Sequence, residues 1–121
     1  MKERENTFGS KLEYPNIHIK NEAHLSISGN SVNGNPEDSF NPLIDWVGAF
    51  KGDTLKIEIN LNFISCRSAK LLLKVLITAD NNEGVKDKSI TWYFKDFEDK
   101  RLGDMIALDL KNFKIKFFCL G

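Results

Sequence analysis

Much of the vocabulary of enzyme and metal sites is missing from this 121-residue chain. It has two cysteines, Cys66 and Cys119, and two histidines, His18 and His24, all scattered singly. So few residues exclude a disulfide framework and any zinc-ligand spacing. In a reducing compartment the two thiols stay unpaired. A surplus of one charge is missing too, because 17 Lys and Arg balance 17 Asp and Glu. A nucleic-acid binder needs a basic surplus to neutralise phosphates, so DNA and RNA are poor partners for this chain. No apolar run approaches the ~20 residues that span a bilayer, which argues against a membrane partner. The opening Met1-Lys2-Glu3-Arg4-Glu5-Asn6 leads into no apolar h-region, so the expected location is the cytoplasm. Glycine-rich phosphate loops, the GxSxG elbow and the HExxH motif are absent. No cofactor is called for, and there are no internal repeats or low-complexity tracts.

What is present is a patterned core. Apolar residues make up 41% of the chain and charged residues 28%, a composition that fits one compact domain. Residues 1–13 are polar and patternless and read as a flexible tail, and residues 14–121 read as a single domain. Ile17 and Ile19 alternate with polar neighbours, as do Leu25 and Ile27, and the short Asn21-Glu22-Ala23 link predicts a hairpin between them. Residues 29–41 read as a loop, and Asn41-Pro42 as the start of a helix carrying Leu43, Trp46, Val47 and Phe50. The strand from Thr54 to Phe63 points Leu55, Ile57, Ile59, Leu61 and Phe63 one way and Lys56, Glu58, Asn60 and Asn62 the other. A helix over 66–80 follows, ending in the turn-rich Asn81-Asn82-Glu83-Gly84. Then come a strand over 89–94, a short helix over about 99–110 and a strand over 113–120, in which Cys119 reads as a small core residue.

The resulting order, β-β-α-β-α-β-α-β, predicts an α/β fold. Helical crossovers favour parallel strands. Strands covered on both faces would be apolar throughout, whereas these alternate. The expectation is a two-layer domain: a mixed, mostly parallel five-stranded sheet with its helices mainly on one face.

Three places could carry chemistry. The acidic run Asp96-Phe97-Glu98-Asp99 could bind a cation, but reads better as a solvated loop supplying acids to a helix N-terminus. His18 and His24 read as exposed strand-face residues; a Cys66–His pair for a thiol enzyme is the less favoured alternative. The segment Ser65-Cys66-Arg67-Ser68-Ala69-Lys70 is the most informative. It joins the central strand to the next helix, where a hydroxyl caps the helix and where a phosphate is also favoured by the amides and the dipole.

Several motifs, taken in order, resemble one known family. Gly29-Asn30-Ser31, Asn35-Pro36, Phe40, Pro42-Leu43 and Trp46 resemble its G-x-S, E-N-P, F-Y-x-P-L and W-L pattern. The stretch Phe63 to Lys70 before Leu72-Leu73 is similar to its Y-F-N-T-S-S-S-K, and Trp92-Tyr93-Phe94 with the acids behind it to its W-Y-Y and acidic loop. Together these resemble the SiaC family of regulatory phosphoproteins over roughly residues 14–118. The resemblance implies a non-catalytic, bacterial partner-switching protein. Its partners would be a kinase, a phosphatase and a diguanylate cyclase, within biofilm and cyclic di-GMP signalling. The fold would be STAS-like by analogy. It places the switch at Ser65, Cys66 and Ser68 and partner contacts at Arg67, Asn35 and Lys70. Cys66 stands where the family has its phosphorylated threonine, and Gly34 where it has the acid of E-N-P. Either Ser65 or Ser68 has taken over the phosphate, or the chain is a constitutive interaction domain that has lost the switch.

Overall fold

The computed structural model describes residues 14–32 and 34–120; the expected N-terminal tail lies outside them. β1 (Pro15–Lys20) and β2 (His24–Ser31) form the predicted antiparallel hairpin. Its turn puts two residues in the left-handed region, Asn21 at φ 39° and Glu22 at φ 66°. Asn tolerates that conformation through its short polar side chain, while Glu carries the steric cost of its Cβ.

After the hairpin every strand is parallel to the one before it: β3 (Thr54–Ile64), β4 (Asp87–Phe94) and β5 (Phe113–Cys119) follow β2 in the order β1-β2-β3-β4-β5. The connections are α1 (Glu37–Ala49), α2 (Cys66–Asp80) and α3 (Phe97–Ala107). A sheet that always steps to the same side through right-handed crossovers must lay all its helices on one face. This is the expected two-layer, mixed, mostly parallel architecture. Leu25, Ile27, Leu55, Ile57, Ile59, Ile90 and Trp92 line the covered face and meet Phe40, Leu43, Val47, Leu72, Val75 and Leu76 from the helices. Each fully buried Leu or Ile among them contributes about 1.5–3 kcal/mol. Among the described residues no helix is long and apolar enough to cross a membrane.

Three expectations are corrected. The first helix begins at Glu37, not at Asn41-Pro42, and Pro42 lies inside it. Pro36 already has the right φ of −65°, its carbonyl accepts the amides of Ser39 and Phe40 at 3.0 Å, and Glu37 and Asp38 complement the dipole. The early start carries Phe40 into the core. Pro42 gives up the bond to the carbonyl of Asp38, which is exposed and open to water instead. Phe63, expected in line with Leu61, faces away from the core and is 69% exposed. The β2–β3 register shifts there, since Gly29 sits opposite Leu61 but Asn30 opposite Phe63, and one extra residue reverses the alternation. Cys119, expected in the core, is exposed: it is the last residue of β5, an edge strand, whereas Ile115 and Phe117 before it on the same strand pack against the core.

The covered face also holds a polar tie that periodicity does not reveal. Lys88, buried on β4, donates from Nζ to the Asp80 carbonyl at 2.5 Å. Burial pushes this ammonium below its usual pKa, opposed by the charges of Asp80 and Glu83. The buried Asp80 carboxylate in turn accepts the backbone amides of Lys111 at 3.0 Å and Asn112 at 2.7 Å, fastening the end of α2 to the entry of β5.

Candidate functional site

In an open α/β sheet, ligands gather beyond the carboxyl ends of the parallel strands, where helix N-termini and loops converge. Here that end brings the end of β2 beside the end of β3. The Ser65 amide donates to the Ser31 carbonyl at 2.9 Å, which sets the two strand-to-helix turns side by side.

Three serine hydroxyls meet between them. Ser68 Oγ lies 2.8 Å from Ser31 Oγ and 3.0 Å from Ser65 Oγ. Ser65 is the N-cap of α2, and its oxygen accepts the Ser68 amide at 3.1 Å. Burial separates their roles. Ser31 and Ser68 are both 0% exposed, whereas Ser65 is half-buried at the surface. Ser68 is therefore sealed with its hydroxyl engaged, and Ser65 is the hydroxyl at the edge. Cys66, the first residue of α2, is exposed.

Arg67 crosses to the N-terminus of α1. Its Nε and Nη2 both donate to Glu37 Oε2, at 2.9 and 2.6 Å. The Glu37 carboxyl is held below its usual range first by its own backbone amide and then by the Arg67 hydrogen bond and charge, with burial opposing. The first turn of α2 has no acid. It carries Arg67 and, one turn on, exposed Lys70, so basic charge adds to the positive end of the helix dipole. Asn35 donates to Asp38 Oδ2 at 2.9 Å and turns the chain into α1. Exposed Phe63 and Val32 flank the two turns with apolar surface.

The structure thus joins the sequence-expected residues Asn35, Ser65, Cys66, Arg67, Ser68 and Lys70 around the two adjacent turns. Reading the sequence missed Ser31 and Glu37 as members. Ser31 belongs to the G-x-S stretch and Glu37 directly follows Asn35-Pro36, but nothing in their spacing shows which helix they face. The remaining candidates lie elsewhere. The Asp96 carboxylate accepts the Asp99 amide at 3.0 Å and so caps α3. Among the described residues no three of His, Cys, Asp and Glu cluster as a metal site. His24 starts β2 opposite Lys56, at the far end of the sheet from Cys66, with Nε2 3.2 Å from Glu58 Oε1. That placement denies Cys66 a base from this histidine.

Comparison with known proteins agrees with the fold. Apo-SiaC from Pseudomonas aeruginosa superposes with a TM-score of 0.77 at 23% identity, covering 90% of this chain and 95% of that one. A chain in the structure of the diguanylate cyclase SiaD with its activator SiaC, from the same organism, gives 0.77 at 22% identity over 90% and 96%. No curated protein matches the sequence. The pattern of the family described as SiaC family regulatory phosphoprotein matches residues 8–119, which takes in both turns and α1, α2 and α3. This chain belongs to the SiaC family of regulatory phosphoproteins.

Proposed function

We propose that this chain is a non-catalytic cytoplasmic regulator that binds a diguanylate cyclase through the surface around Ser65–Lys70, and that phosphorylation of Ser65 switches that binding. The observation that carries this reading is the placement of the Ser65 hydroxyl. It caps α2 at the surface, beside exposed Cys66 and Arg67, while Ser68 is sealed beneath it. A kinase would transfer a phosphoryl group from a nucleoside triphosphate to Ser65 Oγ, and a phosphatase would hydrolyse it off again. The group adds about −1.5 to −2 charge at a helix N-terminus, where amides and dipole favour it. Arg67 and Lys70 supply the countercharge. Arg67 is held by Glu37, so a phosphate that draws it away would loosen the tie between α1 and α2 and change the surface a partner meets.

Titration of the cognate cyclase with wild type, Ser65→Ala and Ser65→Asp, together with phosphopeptide mapping of the native protein, tests the reading. The expected result is phosphate on Ser65, wild-type affinity for Ser65→Ala and at least about tenfold weaker binding for Ser65→Asp. Equal binding by both variants, with an unmodified turn, removes the switch. Cys66 at the family's phosphorylated position and the burial of Ser68 favour a second reading, a constitutive binder of the same partner. That outcome would select it.

A further inference from the structure

The outward face of α3 carries apolar residues where a surface helix ordinarily carries charge. Phe97 is 83% exposed, Leu108 85% and Met105 60%. Gly103 and Ile106 are buried on the opposite side, against the sheet. At about 100° per residue, positions 97, 101, 104 and 108 fall in a strip about 60° wide, centred away from the core and roughly 16 Å long. The strip reads Phe97, Arg101, Asp104, Leu108. Turned end for end, it pairs apolar with apolar and positive with negative.

We propose that α3 is a self-association surface, on which a second copy of this chain packs antiparallel about a two-fold axis. Phe97 then meets Leu108 of the second copy and Arg101 meets its Asp104, each contact occurring twice, as an isologous interface requires. Charge complementarity selects this arrangement. Parallel pairing would set Arg101 on Arg101 and Asp104 on Asp104, and like charges in contact are disfavoured. Asp104 already accepts Lys100 Nζ at 3.0 Å from its own helix, and its carboxylate has the capacity to accept Arg101 as well. A helix of three turns buries less than the roughly 1,200 Å² of a stable interface. The dimer is accordingly weak and concentration-dependent. The proposal is independent of Ser65 and its modification.

Sedimentation velocity from about 1 µM to 1 mM, on full-length protein checked for folding by circular dichroism, decides it. Wild type should move from monomer to dimer across this range. Leu108→Glu should weaken dimerisation at least about tenfold, and Arg101→Glu and Asp104→Arg should each stay monomeric. An equimolar mixture of these last two should dimerise again, because each introduced charge meets its opposite on the other copy. A wild type monomeric throughout overturns the proposal and leaves the strip to a helix of another protein. Variants that dimerise like wild type, or a mixture that stays monomeric, overturn the antiparallel α3 contact.

Discussion

Asp80→Ala tests whether the polar tie under the sheet holds the last third of the domain in place. The carboxylate accepts two backbone amides, from Lys111 and Asn112. Hydrogen bonds to a charged group are worth about 1.5–3 kcal/mol each. Lys111 and Asn112 are themselves exposed, so water reaches their amides once the carboxylate is gone, and the low end applies, about 3 kcal/mol for the pair. Lys88 also loses a nearby negative charge while its ammonium stays buried, a coupling between neighbours that adds about 1 kcal/mol. The sum, about 4 kcal/mol, is a large share of the roughly 5–15 kcal/mol that holds a domain folded. It corresponds to a fall in Tm of about 16 °C, at about 4 °C per kcal/mol for a chain of this size. Urea unfolding gives the loss, and a cycle with Lys88→Met isolates the charge contribution. Asp80→Ala should cost about 1 kcal/mol less in that background, where no buried cation remains to be uncompensated. A loss below about 1 kcal/mol for Asp80→Ala alone would refute the reasoning.

Three further expectations follow from single positions. A Cβ on Gly103 would sit 2.7 Å from Phe117 Cε1 and 3.0 Å from Trp92 Cδ2, so Gly103→Ala should overpack α3 against the sheet by more than the roughly 1 kcal/mol it gains in helix propensity. A net loss of about 1–2 kcal/mol in urea unfolding is expected, and a stabilised variant would show that the contact is loose. Glu22→Gly relieves the left-handed strain at φ 66° and should raise stability by about 0.5–1 kcal/mol in the same assay; a loss would mean the Glu22 side chain contributes more than its backbone costs. The Glu37 carboxyl is lowered in the folded state, so below about pH 4.3 the unfolded chain binds the extra proton and the stabilisation fades as pH falls through the folded pKa. The stability difference between wild type and Glu37→Gln should therefore shrink on acidification, and a difference that stays constant down to about pH 2 would exclude the carboxylate as its source.

Local chemistry was readable where it acts over a few residues. The bounds of α2 follow from Ser65 as its cap and from Asn81 and Asn82 at its end, and β3 follows from strict alternation. What sequence could not show were the non-local decisions. The register shift that turns Phe63 outward depends on how β2 sits beside β3. The true start of α1 is set by Phe40 finding the core. The exposure of Cys119 depends on where the covered face ends along β5, which alternation within the strand does not reveal. The site was half legible: the turn at 65–70 stood out by its hydroxyls and its family resemblance. Ser31 and Glu37 reach it from another strand and another helix, and only the fold brings them there.

The strand order has a consequence for how the protein comes into being. Each strand pairs with the one made just before it, and no later segment has to be inserted between two earlier ones. Pairing each strand with its predecessor in the chain keeps every loop closure shorter than a strand order with later insertions would require. During synthesis the sheet can therefore be laid down in the order in which it is translated, each new unit docking on a finished edge. Loss of structure is expected to start at the two edges: β1 and β5 each pair along one side only, so amide exchange should be faster in both than in β3.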